Sequence, residues 1–281
     1  MIQAFKMAMK SISGNKFRAF LTMLGIIIGV MALVILVSLV SGATGTVTDT
    51  IESLGSNLLT VTVADDKGAP VTLDTLNTWM ADPQIGLAAP SATTTANGKY
   101  GSTTKTVTVY GATPAYAPIN GQSVLLGRFL TQADVENHTS VCVIPEKTAE
   151  DMVGYTDCLG EEIALDGMKF TIVGIFKNDD ESLTGILTKN SMMAYIPYTT
   201  LMRLSSTVSS TITSFSVSAP QGGAMAATEG AMKRLLLERF EEDEDAFSVL
   251  SQNMLEDAMK NVTGILTVLL GGIAAISLIV G

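Results

Sequence analysis

Histidine is almost absent from this sequence. Its 281 residues hold one, His138, with two cysteines, Cys142 and Cys158, and a single tryptophan. One imidazole leaves little to build a histidine metal site or a nucleophile–histidine pair. His138 itself sits in a polar stretch and reads as an exposed loop residue. No G-x-x-x-x-G-K-[ST] occurs, so these 281 residues carry no P-loop nucleotide site. The acidic run Glu241 to Asp245 lacks the alternating spacing and glycine of a calcium loop. It reads as a solvated helix end. No catalytic residue, cofactor or metal is expected. Charge is also sparse, at 16% of residues, and it is segregated by sign. The first eighteen residues carry Lys6, Lys10, Lys16 and Arg18 and no acid. All 27 acidic residues and 13 of the 17 basic ones follow the first apolar run, a net charge of −14 for that part. Nucleic acid is therefore not an expected partner, because phosphate binding needs a basic surface.

What is abundant is apolar sequence, 47% of the chain with a mean hydropathy of +0.38, gathered at the two ends. No charge occurs from Ala19 to Thr48, nor from Asn261 to Gly281. About 22 helical residues rise roughly 33 Å, enough to cross a hydrocarbon core of about 30 Å. Membrane lipid is thus an expected partner. The basic flank predicts a cytoplasmic N-terminus and an outer acidic domain. A cleaved signal peptide is the rival reading, with Ser41-Gly42-Ala43 as its site. Its apolar run is about twice the usual length.

Ile2, Phe5, Met9 and Ile12 predict a short interfacial helix before the first span. Val47, Ile51 and Leu54 recur at helical spacing after it, so the helix is expected to run on to Gly55. Leu250, Met254, Leu255 and Ala258 make a similar stripe before the second apolar run. The two stripes predict a pair of stalk helices; alternatively each packs only on the domain. Between them the pattern is mixed α and β. Asn57 to Val63, Thr104 to Ala112, Ser140 to Ile144, Ser210 to Ala219 and Ala246 to Ser251 read as strands. Thr72 to Asp82 reads as a helix with a threonine cap, and Gly222 to Phe240 as another. A helix follows Ile144, with Pro145 in its first turn. Glu161 to Asp179 reads as a hairpin turning at Asp166-Gly167.

Cys142 and Cys158 are expected on the outer side, where an even count invites a disulfide. A loop of about 15 residues would contribute on the order of 3 kcal/mol. Cys142 also sits in an apolar strand, where a free thiol is equally at home. Gly25 and Gly29 form a G-x-x-x-G, a candidate face for close helix packing.

The order of these pieces resembles one family. "NKFRAFLTMLGIIIGV", "SLGSNLLTVTV", "LLGRFLTQADVENHTSVCVIPEKTAEDMVG", "DCLGEEIALDGMKFTIVGIFKND" and "AYIPYTTLMRL" are similar to successive segments of the MacB-type ABC transporter permeases. That group includes lipoprotein-releasing and cell-division FtsX-type members. Cys158 departs from the pattern, where proline is frequent, and this favours the disulfide slightly.

The resemblance implies membrane spans plus an α+β extracytoplasmic domain on a two-helix stalk, with one lobe split around an inserted, mostly β lobe. The expected division is 1–18 cytoplasmic segment, 19–42 first span, 43–55 stalk, 56–250 outer domain, 251–260 stalk and 261–281 second span. Within the outer domain, 56–112 with 206–250 would form one lobe and 113–205 the inserted one. The ending from Ile265 to Gly281 resembles the family's second span, so two further spans and the coupling segment are expected to follow. The implied function is that of a non-catalytic permease subunit in the bacterial cytoplasmic membrane. A cytoplasmic ABC ATPase would drive the outer domain through the stalk and so export a peptide, antibiotic or lipoprotein. A homodimer or a paralogous permease partner is implied, with an accessory adaptor as a further partner. From the residues alone, a two-pass receptor or adhesion protein that only binds a ligand is the alternative.

Overall fold

The computed structural model describes residues 16–53, 58–177, 191–251, 261–269 and 271–272. The chain divides into two compact units, Met1–Asp49 with Met254–Gly281, and Thr50–Asn253.

In the first unit, helix α1 (Lys16–Ser53) runs for 38 residues without a break and continues into the second. At 1.5 Å per residue this is about 57 Å, nearly twice a hydrocarbon core. Its segment Met23–Val40 is long and apolar enough to span a membrane and has no buried share. Large apolar side chains point outward all round, Leu39 being 66% exposed. A surface of that kind is stable in lipid, not in water. Val47 and Ile51 fall within α1. The described part of the second apolar run is helical at 261–269 and 271–272, and Val268 is 76% exposed. The predicted interfacial helix, and Leu54, Met254, Leu255 and Ala258, lie outside the described residues.

The second unit contains two sheets. The smaller has four antiparallel strands, β1 (Leu58–Val63), β2 (Ala88–Pro90), β10 (Ser214–Ser218) and β11 (Phe247–Ser251), in the order β11-β1-β10-β2. Leu59, Val61 and Val63 alternate inward, and Val61 stands opposite both Phe215 and Val249. Helices α2 (Leu73–Trp79) and α7 (Met225–Arg239) contribute to this core through Leu76, Trp79, Met232 and Leu236. Leu250 does not begin a stalk helix. It lies in β11 opposite Thr60 and faces away from the core, as an exposed strand residue.

The larger sheet takes β3 (Ala92–Tyr100), β4 (Thr103–Ala112), β5 (Val124–Gly127), β6 (Val141–Pro145), β7 (Glu162–Leu165), β8 (Met168–Phe176) and β9 (Met192–Pro197). Its order is β5-β8-β6-β9-β4-β3-β7, and β7 also pairs with β8. Six strands therefore close on themselves, leaving β5 as an appended edge. Val107, Val109, Cys142, Ile144, Ile163, Phe170, Ile172 and Ile196 fill the interior. Helices α5 (Glu146–Met152) and α6 (Tyr198–Leu204) add Ala149, Met152 and Leu201 to that core. Beyond the β4 and β9 strands lies a second packing, of aromatic rings. Tyr195 stacks on Tyr110 at 5.1 Å and meets Phe176 edge-on at 5.1 Å.

The lobe boundary expected after residue 112 belongs earlier. Both β3 and β4 are in the larger sheet, so the chain leaves the smaller one at Ser91. Strand β3, ATTTANGKY, escaped the sequence reading because Ala96 and Gly98, not large apolar residues, face inward. The loop after β4 holds one helical turn, α3 (Tyr116–Ile119). Pro145 is the cap of α5 and not its first residue. The hairpin turns at Asp166 and Gly167, both with positive φ, as a two-residue turn with this handedness requires.

Candidate functional site

The chain crosses between the two sheets twice, at Ser91 and again between Ser205 and Thr213. The two crossings brace each other. Ser91 N donates to Ser214 O at 2.9 Å, Thr94 Oγ1 to Ser205 Oγ at 3.2 Å, and the Tyr198 hydroxyl to Ser209 O at 2.9 Å. Beside these crossings lies a cleft of about 700 Å³.

One wall comes from the smaller sheet. It is built from the first turns of α2 and from β2, with Leu73, Asp74, Leu76, Met80 and Ala88 facing the space. Thr72 sets this wall. Its side chain accepts from Thr75 N, and the Thr75 hydroxyl accepts from Thr72 N. That reciprocal cap holds a helix of only seven residues.

The rest of the lining comes mainly from α6 and from α4 (Gln132–Glu136). Val135, Glu136, His138, Tyr198 and Met202 face the cleft from this side, with Thr113 from the loop after β4. Helix α4 has five residues and would not persist alone. Asp134, buried in its first turn, anchors it. Arg128 Nη1 donates to Oδ2 at 2.6 Å, Thr131 N and Oγ1 donate to the same oxygen at 2.8 and 2.7 Å, and Thr139 Oγ1 donates to Oδ1 at 3.1 Å. Burial alone is the largest single influence on this carboxyl and would raise its pKa. The hydrogen bonds from Arg128, Thr131 and Thr139 together outweigh it and hold the group well below the usual carboxylate range. The Thr199 hydroxyl then donates to Val135 O, and Thr200 Oγ1 to Thr139 O at 3.0 Å, so α4 is fastened to α6.

The cleft is mostly apolar, with two methionines in its walls. Its charged side chains are the carboxylates Asp74 and Glu136, and no lysine or arginine lines it among the described residues. Gln132 Nε2 donates to Glu136 Oε1 at 3.0 Å, which orients that carboxylate. Thr113 Oγ1 is buried and has no hydrogen-bond partner, and among the described residues it is the one such side-chain atom. His138, read from sequence as an ordinary loop residue, stands at the cleft with φ +50°. Among the described residues no three or more His, Cys, Asp or Glu side chains are grouped to hold a metal ion. The arrangement is suited to binding.

Apart from His138 and the helix cap Thr72, none of the residues singled out from sequence lines this cleft. Cys142 and Cys158 are free thiols in the barrel interior, fully buried and 1% exposed respectively. Burial, with a smaller contribution from Cys158, pushes the Cys142 thiol far up, and burial also raises Cys158. Both are kept as unreactive SH groups. Gly25 lies on α1, where an added Cβ would meet nothing within 4 Å. Gly29 lies one turn on in the same helix. Sequence reasoning missed Asp74, Thr113 and Glu136, which lie far apart along the chain and share no motif. The one usable signal was Thr131–Asp134, whose three-residue spacing is that of a capping box.

The family model of the MacB-like periplasmic core domain matches residues 19–235. A macrolide export ATP-binding/permease protein MacB of Neisseria gonorrhoeae is 26% identical over 100% of this chain and 44% of its own length. A second MacB of Aeromonas hydrophila is 28% identical over 99% of this chain and 43% of its own length. The chain thus spans less than half the length of these relatives. Among solved structures, the periplasmic region of MacB from Actinobacillus actinomycetemcomitans has a TM-score of 0.62 at 20% identity. The match covers 75% of this chain and 96% of that one.

Proposed function

The chain belongs to the family of the MacB-like periplasmic core domain, and from that premise we propose that it is part of an ABC transporter permease. Its second unit is then the extracytoplasmic domain of a membrane protein. The first unit would hold a span with its N-terminus in the cytoplasm. A separate cytoplasmic ATPase would supply the energy, and the chain itself would do no chemistry. ATP binding and hydrolysis would reposition the outer domain through α1, moving a substrate that is already outside the membrane. The permease would work as a homodimer or beside a paralogue, with an adaptor as a further partner.

The single observation that carries this reading is the family match over residues 19–235, which joins the span to the outer domain in one unit of descent. Helix α1 supports it physically. A helix of 38 residues without proline or a break transmits displacement at its membrane end to the other end with little bending. The curated relatives are macrolide exporters by name. A related substrate would be an amphiphile that reaches the outer leaflet or the space beyond it.

The test is to isolate the chain from its native membrane with its partners and follow hydrogen exchange in the second unit. A P-loop ATPase should co-purify, and ATP with vanadate should change exchange around residues 72–80 and 132–138. A preparation without an ATPase, whose exchange ignores nucleotide, would overturn the reading and leave a ligand-binding two-pass receptor.

A further inference from the structure

We propose that a second, smaller cavity, on the outer face of the larger sheet beside the Ser91 crossing, is a binding site for a neutral pyranose ring. The inference is independent of the transport reading and of the larger cleft.

The observation that carries it is an aromatic ring stacked on one face only. The registers of β9, β4 and β3 put Tyr195, Tyr110 and Thr93 side by side in one row. Tyr110 therefore has Tyr195 on one flank and Thr93 on the other. Its ring lies 5.1 Å from that of Tyr195 at an interplanar angle of 24°, so one face is covered by the stack. The other face is turned toward Thr93, an exposed residue too small to cover it. Tyr110 and Thr93 both line the cavity, and Tyr116 joins them there. Tyr116 is tilted at 52° to Tyr110 and packs on Tyr195 at 5.3 Å. Both rings at the cavity are thus held in place before any ligand arrives, which spares the ordering cost of binding.

The rest of the lining selects the ligand class. The cavity holds about 290 Å³, near the lower end for small-molecule sites, which suits one ring and not a drug-sized body. Its polar groups, besides the tyrosines, are Ser91, Thr93, Asn120 and Ser216, and no charged side chain lines it among the described residues. Asn120 Nδ2 donates to Tyr116 O at 2.8 Å, which fixes the amide and leaves Oδ1 and the second N–H for other partners. Ser91 Oγ and Ser216 Oγ lie 3.5 Å apart across the crossing. A pyranose has a flat C–H face that a tyrosine ring can cover and a rim of hydroxyls that neutral donors and acceptors can match. An ionic ligand would find no counter-charge. A wholly apolar one would strip water from these hydroxyls and the amide without replacing it.

The probes are methyl β-galactopyranoside, sorbitol, which has the hydroxyls but no rigid C–H face, and phenol. Each is added to the full chain in lipid nanodiscs, with empty nanodiscs as the blank. Saturation-transfer NMR then reads which ligand protons touch the protein. The pyranoside should receive saturation on the ring protons of one face, and sorbitol should receive none. Thr93→Tyr, at an exposed strand position, should cover the open face of Tyr110 and weaken pyranoside binding about tenfold while the unfolding transition stays in place. Tyr110→Leu should weaken it as much by removing the ring. Tyr155→Leu, which removes an exposed tyrosine outside the cavity, should leave binding unchanged. Equal transfer to the pyranoside and sorbitol, or transfer that survives Thr93→Tyr, would overturn the site. Transfer to phenol without transfer to the pyranoside would show a site for aromatic rings and overturn the saccharide assignment. Absence of transfer to all three probes would overturn the proposal as a whole.

Discussion

At the scale of single residues, Asp134 does more than its position in a short loop helix suggests. It is a buried carboxylate with five donors, and its removal leaves Arg128 and the first turn of α4 without their anchor. Asp134→Asn should lower the stability of the second unit by about 2–3 kcal/mol at pH 7, the range for charge-assisted bonds lost from a buried site. The folded-state pKa is depressed, so this stabilisation is complete above the unfolded value near 3.8 and fades as pH falls below it. Unfolding measured against pH should therefore show the gap between the two proteins narrowing below about pH 4. A gap that stays constant to about pH 2 would mean that the charge is not what anchors α4. Thr113 makes the opposite case. Replacing an unsatisfied buried hydroxyl by an isosteric methyl removes a desolvation penalty, so Thr113→Val should raise stability by about 1 kcal/mol in the absence of ligand. Denaturant unfolding reads this directly, and a loss of stability would show that the hydroxyl is already satisfied.

At the scale of elements, the family-like Gly127-Arg128-Phe129 segment has a geometric reason. Gly127 closes β5 at φ +75°, and a side chain there would collide with the carbonyl oxygen of Val173. It is this turn that delivers Arg128 to Asp134 and Phe129 to the ring of Phe176, at 5.1 Å. Gly127→Ala should destabilise the unit by about 2–4 kcal/mol, combining left-handed strain with the clash. Circular dichroism melts would show it; a loss under about 1 kcal/mol would mean that β5 shifts freely. The barrel interior supplies a chemical counterpart. Because Cys142 and Cys158 are held there as protonated thiols, a thiol reagent at neutral pH should find none in the folded chain and both after denaturation. A linked 142–158 peptide under non-reducing conditions would overturn this and restore the disulfide that the sequence left open.

At the scale of the whole molecule, silence of the native thiols makes topology measurable. With Ser140→Cys and Lys16→Cys introduced singly, an impermeant maleimide on intact cells should label the first and spare the second. The reverse pattern would invert the orientation that the four N-terminal basic residues predict. What the chain alone determined follows from strong, local physics. Two charge-free apolar runs, a helix carried past the first of them, the Asp166-Gly167 turn and the alternation of Leu59, Val61 and Val63 each declare themselves within a few residues. Strand β3 did not, since Ala96 and Gly98 bury too little apolar surface to mark an inward face. Leu250 misled, because an exposed strand residue and a helix stripe look alike over so short a stretch. Only the tertiary structure closed β7 onto β8, moved the boundary between the sheets to Ser91, and set Asp74, Thr113 and Glu136 around one space. Those three residues are brought together by the two chain crossings and by the docking of α4 on α6. Pairings at such separations depend on which surfaces bury each other, and no short-range pattern encodes that.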